Sequence, residues 1–239
     1  MAAIDLGIWA SWYDLAPDGK DAYLSWLHGA YLPSMLQRHG YLWAASVENV
    51  TSPEREARSA ARLHRTNDAS VPDGFEYLLL FGAENAHVFA DPSPAEMLAS
   101  ADATTREMLA RQLRARVCIF VEVDRVDGPD AATRRPGITP GPIIQLGTFN
   151  SDTLEHETEI STWYARSRLP LVQTPAGSVG ARKLVTISGW AKHGILYEFS
   201  SLEAAESGLV DTTDWSRHVV DSLVHAPHSP TLGRRIWPA

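Results

Sequence analysis

The apolar positions of this chain switch between two periods. Residues 4–13 are dense in Trp and Ile, as a buried strand requires. Asp18 and Gly19 break that run. Over 20–38 the apolar side chains Leu24, Leu27, Tyr31 and Met35 recur at steps of three and four, which predicts a helix with one buried face. Gly40 stands where a helix C-terminus is expected, and 41–50 reads as a second strand. Residues 51–74 are polar and read as an inserted excursion with a short helix over 53–65. Strand character returns at 76–81, with a hairpin partner expected at 87–90. The run Asp91-Pro92-Ser93-Pro94 signals a helix start for 94–115, and 117–126 reads as a strand.

Residues 128–142 hold Gly128, Gly137 and Gly141 with Pro129, Pro136, Pro140 and Pro142, so this stretch is expected to be a linker. The order before it, 1–127, is βαββαβ. The pattern then restarts over 143–239: a strand at 143–150, a helix at 155–172, strands at 180–188 and 194–199, a helix near 214–224, and a last strand at 232–237. The expected fold class is α+β, with two ferredoxin-like βαββαβ units. Each puts its helices on one sheet face and must bury the other face against something.

A shift of 137 residues lays the first helix on the second. Trp26 meets Trp163, Leu32-Pro33 meets Leu169-Pro170, Gly40 meets Gly177 and Ala44 meets Ala181. That makes five identities in nineteen positions, where roughly one is expected from ordinary composition. A proline at the same place in both helices implies the same local geometry twice.

The second copy reads Trp163-Tyr164-Ala165-Arg166-Ser167-Arg168-Leu169-Pro170, then Pro175-Ala176-Gly177 and Gly180-Ala181-Arg182-Lys183. This resembles a pattern of the dimeric α+β barrel superfamily, especially its EthD-like members. There a helix carries W-x-x-x-E-H-L-P, and P-G-x-x-x-A-R-R leads into the next strand. The resemblance implies two units packed sheet against sheet, here from one chain, with pockets between helices and sheet. Family activities include cofactor-independent monooxygenation, polyketide cyclisation, isomerisation, dehydration and haem chemistry, so the fold leaves the reaction open. The motif histidine is Tyr31 in one copy and Arg168 in the other, and the preceding glutamate is Ala30 and Ser167. The family's histidine role therefore does not carry over.

Three residues are candidates for chemistry. His28 and Tyr31 lie on the stripe with Leu27 and Met35, where an imidazole could be base or acid and a phenol a hydrogen-bond donor. The competing reading is a satisfied histidine beside a packing tyrosine. Arg168, near Arg166 and Arg182 in sequence, could stabilise an anion, or be a solvated arginine paired with local glutamates. Trp9, Trp12, Tyr13, Leu27 and Met35 are the candidate substrate contacts, with core packing as the alternative. Trp9 and Trp12 fall on opposite strand faces, so they cannot line one pocket together. The second copy has Ala165 and Arg168 where the first has His28 and Tyr31, which points to the first half for an acid–base site.

Composition narrows the classes. Hydrophobic residues make up 44% and charged residues 21%, and the net charge is −8. A soluble globular chain with no nucleic-acid partner is expected. No apolar run is long enough for a membrane span, and the N-terminus has no signal-peptide build, so a cytoplasmic location is expected. The lone Cys118 allows no internal disulfide. The other histidines, His39, His64, His87, His156, His193, His218, His225 and His228, show no H-x-x-x-H spacing, so no metal is expected. His225-Ala226-Pro227-His228 reads as a loop. G-x-S-x-G, P-loop and G-x-G-x-x-G motifs are absent. The expected function is cofactor-independent proton transfer, of cyclase, isomerase or lyase type, on a small apolar, aromatic or polyketide-like molecule. The alternatives are a non-catalytic small-molecule-binding protein, and a monooxygenase or haem protein. One chain supplies both halves of a pseudo-dimer; further homodimerisation is left open.

Overall fold

A computed structural model describes residues 5–134, 140–207, 209 and 212–239. Pro136 and Gly137 of the Gly/Pro-rich stretch lie outside the described residues.

The first unit contains β1 (Gly7–Asp14), α1 (Lys20–Trp26), a π-helical turn (Leu27–Tyr31), α2 (Leu32–Met35) and β2 (Tyr41–Asn49). An insertion follows: α3 (Pro53–Arg62) and β3 (His64–Arg65). The unit closes with β4 (Tyr77–Ala83), α4 (Pro94–Ser100), α5 (Ala103–Leu109) and β5 (Leu113–Asp127). The second unit contains β6 (Ile143–Ser151), α6 (His156–Trp163), a π-helical turn (Tyr164–Arg168), α7 (Leu169–Val172), β7 (Ser178–Ser188) and β8 (His193–Phe199). It ends with α8 (Leu202–Ser207), α9 (Asp214–Asp221), β9 (Leu223–His225) and β10 (Thr231–Trp237).

The strands run in the order β10-β2-β4-β1-β5-β7-β8-β6, and β6 pairs back onto β10, so eight antiparallel strands close a barrel. Each unit contributes four neighbours in the ferredoxin-like order. The seams are equivalent: the last strand of each unit, β5 or β10, pairs with the strand after the first helix of the other, β7 or β2. Closure removes every free edge of the eight.

Period-two alternation sorts the side chains. Trp12, Trp43, Phe120, Leu146, Leu184 and Leu196 fill the barrel interior from both units. Trp12 donates its Nε1–H to Thr231 Oγ1 at 3.0 Å there. Trp9 and Tyr13, on the other face of β1, pack under the first unit's helices. The second unit has its own helix-side cluster around Phe149, Trp163 and Tyr197.

The 137-residue repeat is visible in the backbone. The π turns at 27–31 and 164–168 coincide under the shift, and Gly40 and Gly177 have φ of 81° and 82°. Proline explains the turns. Pro33 and Pro170 carry no N–H, and the residue before each, Leu32 or Leu169, instead reaches five residues back, to the carbonyls of Leu27 and Tyr164. The widened turn absorbs the proline without ending the helix.

Three expectations about elements change. The helix at 94–115 is two helices, because Asp102 is extended and accepts from Thr105 N at 2.8 Å, starting α5 anew. Residues 87–90 give a 3₁₀ turn rather than a strand, capped by Asn85 Oδ1 on His87 N at 3.0 Å. The 51–74 excursion crosses to the other unit: β3 pairs in parallel with β9, His64 opposite Val224 and Arg65 opposite His225.

Candidate active site

On β6 the residues facing the helices are Gln145, Gly147 and Phe149, while Ile144 and Leu146 face the barrel interior. The matching face of β1 carries Trp9 and Tyr13, with Phe81 and Phe89 against Trp9. Four aromatic rings therefore fill the first unit, whereas β6 of the second offers the Gln145 amide and Gly147 beside its one aromatic ring, Phe149. A cavity of about 1010 Å³ opens above β6 and β8, bordered by the π turn, α9, β9 and the inserted α3. A Cβ at Gly147 would lie 3.2 Å from Ile195 Cγ2, so glycine keeps the floor low.

Arg168 enters from the end of the π turn. Its Nε donates to the Tyr197 hydroxyl at 2.7 Å and its Nη1 to the Leu209 carbonyl at 2.7 Å. The guanidinium lies 5.0 Å from the Tyr197 ring centre and 5.9 Å from that of Trp163. Its neighbours thus fix a cation against aromatic faces. Across the mouth, α3 presents Arg55, Arg58 and Arg62. Arg55 Nη2 donates to Gln145 Oε1 at 2.5 Å, and Arg65 donates to Ser59 Oγ at 2.8 Å. The Arg55 bond, with Arg65 Nε donating to the Ser229 carbonyl at 3.3 Å, holds the first unit's insertion over the second unit's cavity, while the Ser59 bond ties α3 to β3.

His225 also lines the cavity. It ends β9 opposite Phe149, so the expected loop begins only after it. Its Nδ1 sits 3.3 Å from the His64 carbonyl oxygen, an acceptor that selects the tautomer with the proton on Nδ1. Burial pushes its pKa down to about 4, so the ring is neutral at pH 7 and Nε2 keeps its lone pair.

A second polar chain lies behind Phe149 and Tyr164. Glu157 Oε2 is 2.9 Å from His193 Nε2, and His193 Nδ1 is 3.1 Å from Lys183 Nζ. Lys183 is buried under both rings, 5.3 Å from Phe149 and 5.0 Å from Tyr164. Burial lowers its pKa to about 7, and burial together with Lys183 lowers that of His193 to about 4.

The residues singled out in the sequence divide between the units. Trp9, Tyr13, Leu27, Met35 and Tyr31 meet in the first unit's core. Tyr31 stacks on Trp26 at 5.0 Å, and burial raises its pKa. His28 stacks on Trp237 at 6.4 Å; its Nε2 is occluded without a partner among the described residues, and burial lowers its pKa. Trp12 is inside the barrel. Arg182 is buried there too, between Asp5 and Glu122, away from the cavity. A smaller space of about 310 Å³ borders Arg38, His39 and Tyr41, not His28 or Tyr31. Of the three candidates for chemistry only Arg168 borders the large cavity. Sequence reasoning passed over His225 and Lys183. His225 has no motif, and Lys183 sits in a Gly-Ala-Arg-Lys run that reads as fold-building. The available signal was Gly147 set against the aromatic β1.

No family model and no curated protein matches this chain. Solved structures do. An anthrone oxidase-like protein superposes with a TM-score of 0.60 and 11% identity, over 99% of this chain and 94% of its own. A Fusobacterium nucleatum protein provisionally named a monooxygenase gives 0.56 and 8%, over 98% and 93%. A dye-decolorizing protein from V. cholerae gives 0.53 and 9%, over 99% and 95%. At such identities the likeness concerns architecture. Among the described residues no helix is long and apolar enough to cross a membrane. The chain has the dimeric α+β barrel fold, with both ferredoxin-like units supplied by one polypeptide.

Proposed function

We propose that this protein is an enzyme that moves a proton on a flat, largely apolar molecule bearing an acidic or enolisable group, and that the second unit's cavity is its site. The carrying observation is that one cavity of about 1010 Å³ holds both a neutral imidazole, His225, and a positioned guanidinium, Arg168. Phe149, Trp163, Tyr164 and Tyr197 supply walls for a planar body. His225 Nε2 would take the proton, and Arg168 would stabilise the enolate or phenolate left behind. Tyr197 and the Leu209 carbonyl hold Arg168 in place. Cyclisation, isomerisation and elimination all begin with such a step, and this reading needs no cofactor. The first-unit pair His28 and Tyr31 is the competing site. The test is exchange of an acidic C–H of anthrone into deuterated buffer, followed by proton NMR. Acceleration that falls at least tenfold in His225→Ala and persists in His28→Ala, Tyr31→Phe supports the second-unit site; the reverse pattern supports the first.

A second reading rests on His225 itself. An imidazole whose Nδ1 faces a backbone carbonyl is oriented as metal-ligating histidines are. The residues fit haem: His225 would hold the iron through Nε2, and Arg55, Arg58 and Arg62 at the mouth complement two propionates. Bound haem would supply redox chemistry with oxygen or peroxide. Titration of the protein with haemin separates the readings, since a ligand-field spectrum that His225→Ala abolishes favours the haem site.

A further inference from the structure

Outside the cavity, α6 and α9 bring together residues that the site does not use. His156 and Glu159 are three apart on α6 and share a face, and His218 comes from α9. One ligand atom from each lies within 4.8 Å of the other two. We propose that His156, Glu159 and His218 form a divalent-metal site of zinc type on the outer face of this helix pair.

Three features argue for a prepared site. Glu159 uses one carboxylate oxygen, Oε1, to accept from Trp215 Nε1 at 3.0 Å, and its other oxygen, Oε2, stands 3.4 Å from His218 Nε2. Ligand atoms on a tetrahedral zinc ion are about 3.3 Å apart, given bonds of about 2.0–2.1 Å, so this edge already has the right length. His156 directs Nδ1 at Asp152 Oδ1, 2.6 Å away, which leaves Nε2 as its ligand atom and supplies the carboxylate–histidine support common at metal centres. The helices are also pinned without metal, since Trp163 Nε1 donates to Ser216 Oγ at 2.7 Å.

The donor set selects the class of ion. Two imidazoles and one carboxylate suit zinc and its transition-metal neighbours, whereas magnesium and calcium prefer all-oxygen sites. Three protein ligands leave a fourth position for water or another donor. The neighbouring residue Arg217 and, one turn on, Asp221 border the cavity, so an ion here would fix α9 as a cavity wall.

The experiment uses untagged, chelator-treated full-length protein titrated with zinc chloride by calorimetry and by competition with a chromophoric chelator. Wild type should bind one equivalent, with affinity falling at least tenfold in Glu159→Gln and further in His156→Ala, His218→Ala. Zinc should raise the melting midpoint of wild type only, and calcium should not. His218 is exposed and His156 and Glu159 are half-buried, and each variant's melting in chelator reports its folding. Absence of stoichiometric binding, or binding retained in the doubly substituted protein, would overturn the proposal.

Discussion

Arg168 Nε and the Tyr197 hydroxyl are 2.7 Å apart, a bond between the π turn and β8 that spans the wall of the cavity. The sequence repeat gives Arg168 the place that Tyr31 holds in the first unit, where the side chain stacks on Trp26 instead. The same helical turn thus fills one unit and lines a cavity in the other. Tyr197→Phe removes a bond to a charged group, worth about 1.5–3 kcal/mol. We expect binding of anthraquinone-2-carboxylate to weaken about tenfold, with a change in melting midpoint of only a few degrees. Unchanged affinity would show that Arg168 does not depend on Tyr197.

Buried histidines set the acid limit of stability. His225 and His193 have folded pKa values of about 4 against an ordinary 6.5. Between these values the unfolded chain binds protons that the folded chain does not, so stability is full above pH 6.5 and falls as pH drops toward 4. Each contributes on the order of 3 kcal/mol of loss by pH 4. Urea titrations at pH 7 and pH 5 should show the drop, and His225→Gln should reduce it. An equal drop in that variant would contradict the assignment.

Lys183 acts in a higher window. Its folded pKa of about 7 lies below the ordinary 10.5, so stability rises as pH goes from 7 to 10.5 and is lost on the way back down. Lys183→Met should remove that rise. The comparison to make is the difference in urea midpoint between wild type and variant at pH 7 and pH 9.5; a constant difference would show that Lys183 does not titrate there.

Gly40 and Gly177 close the equivalent helices with left-handed backbone. A Cβ at Gly40 would stand 2.7 Å from Val88 Cγ2, and one at Gly177 would run into Ala204. The conformation alone costs a non-glycine residue about 1–2 kcal/mol. Both alanine substitutions should therefore lower stability by at least that amount in denaturant titration, Gly177→Ala more. A neutral result at either would remove the steric account of the repeat's ends.

Architecture was legible because it is written in residues with few alternatives. The Leu-Pro steps at 32–33 and 169–170 and the two helix-ending glycines mark the repeat, and they fix the π turns and the strand starts at Tyr41 and Ser178. The site was less legible, because a cavity is a relation between elements. Arg168 was a candidate from the sequence, and it borders the cavity. Its partners Tyr197 and Leu209 are 29 and 41 residues away, and nothing local links them. His225 meets the His64 carbonyl only because β3, from an insertion that read as an excursion, pairs beside β9. The shorter helix α8 has too few residues to show a period.

The second unit as the ligand-binding half is the central claim, and tryptophan-fluorescence titration with anthraquinone-2-carboxylate tests it most directly. The account predicts that Arg168→Ala weakens binding at least tenfold while His28→Ala, Tyr31→Phe leaves it within twofold of wild type. Loss of binding in the first-unit variant, with affinity intact in Arg168→Ala, would contradict it.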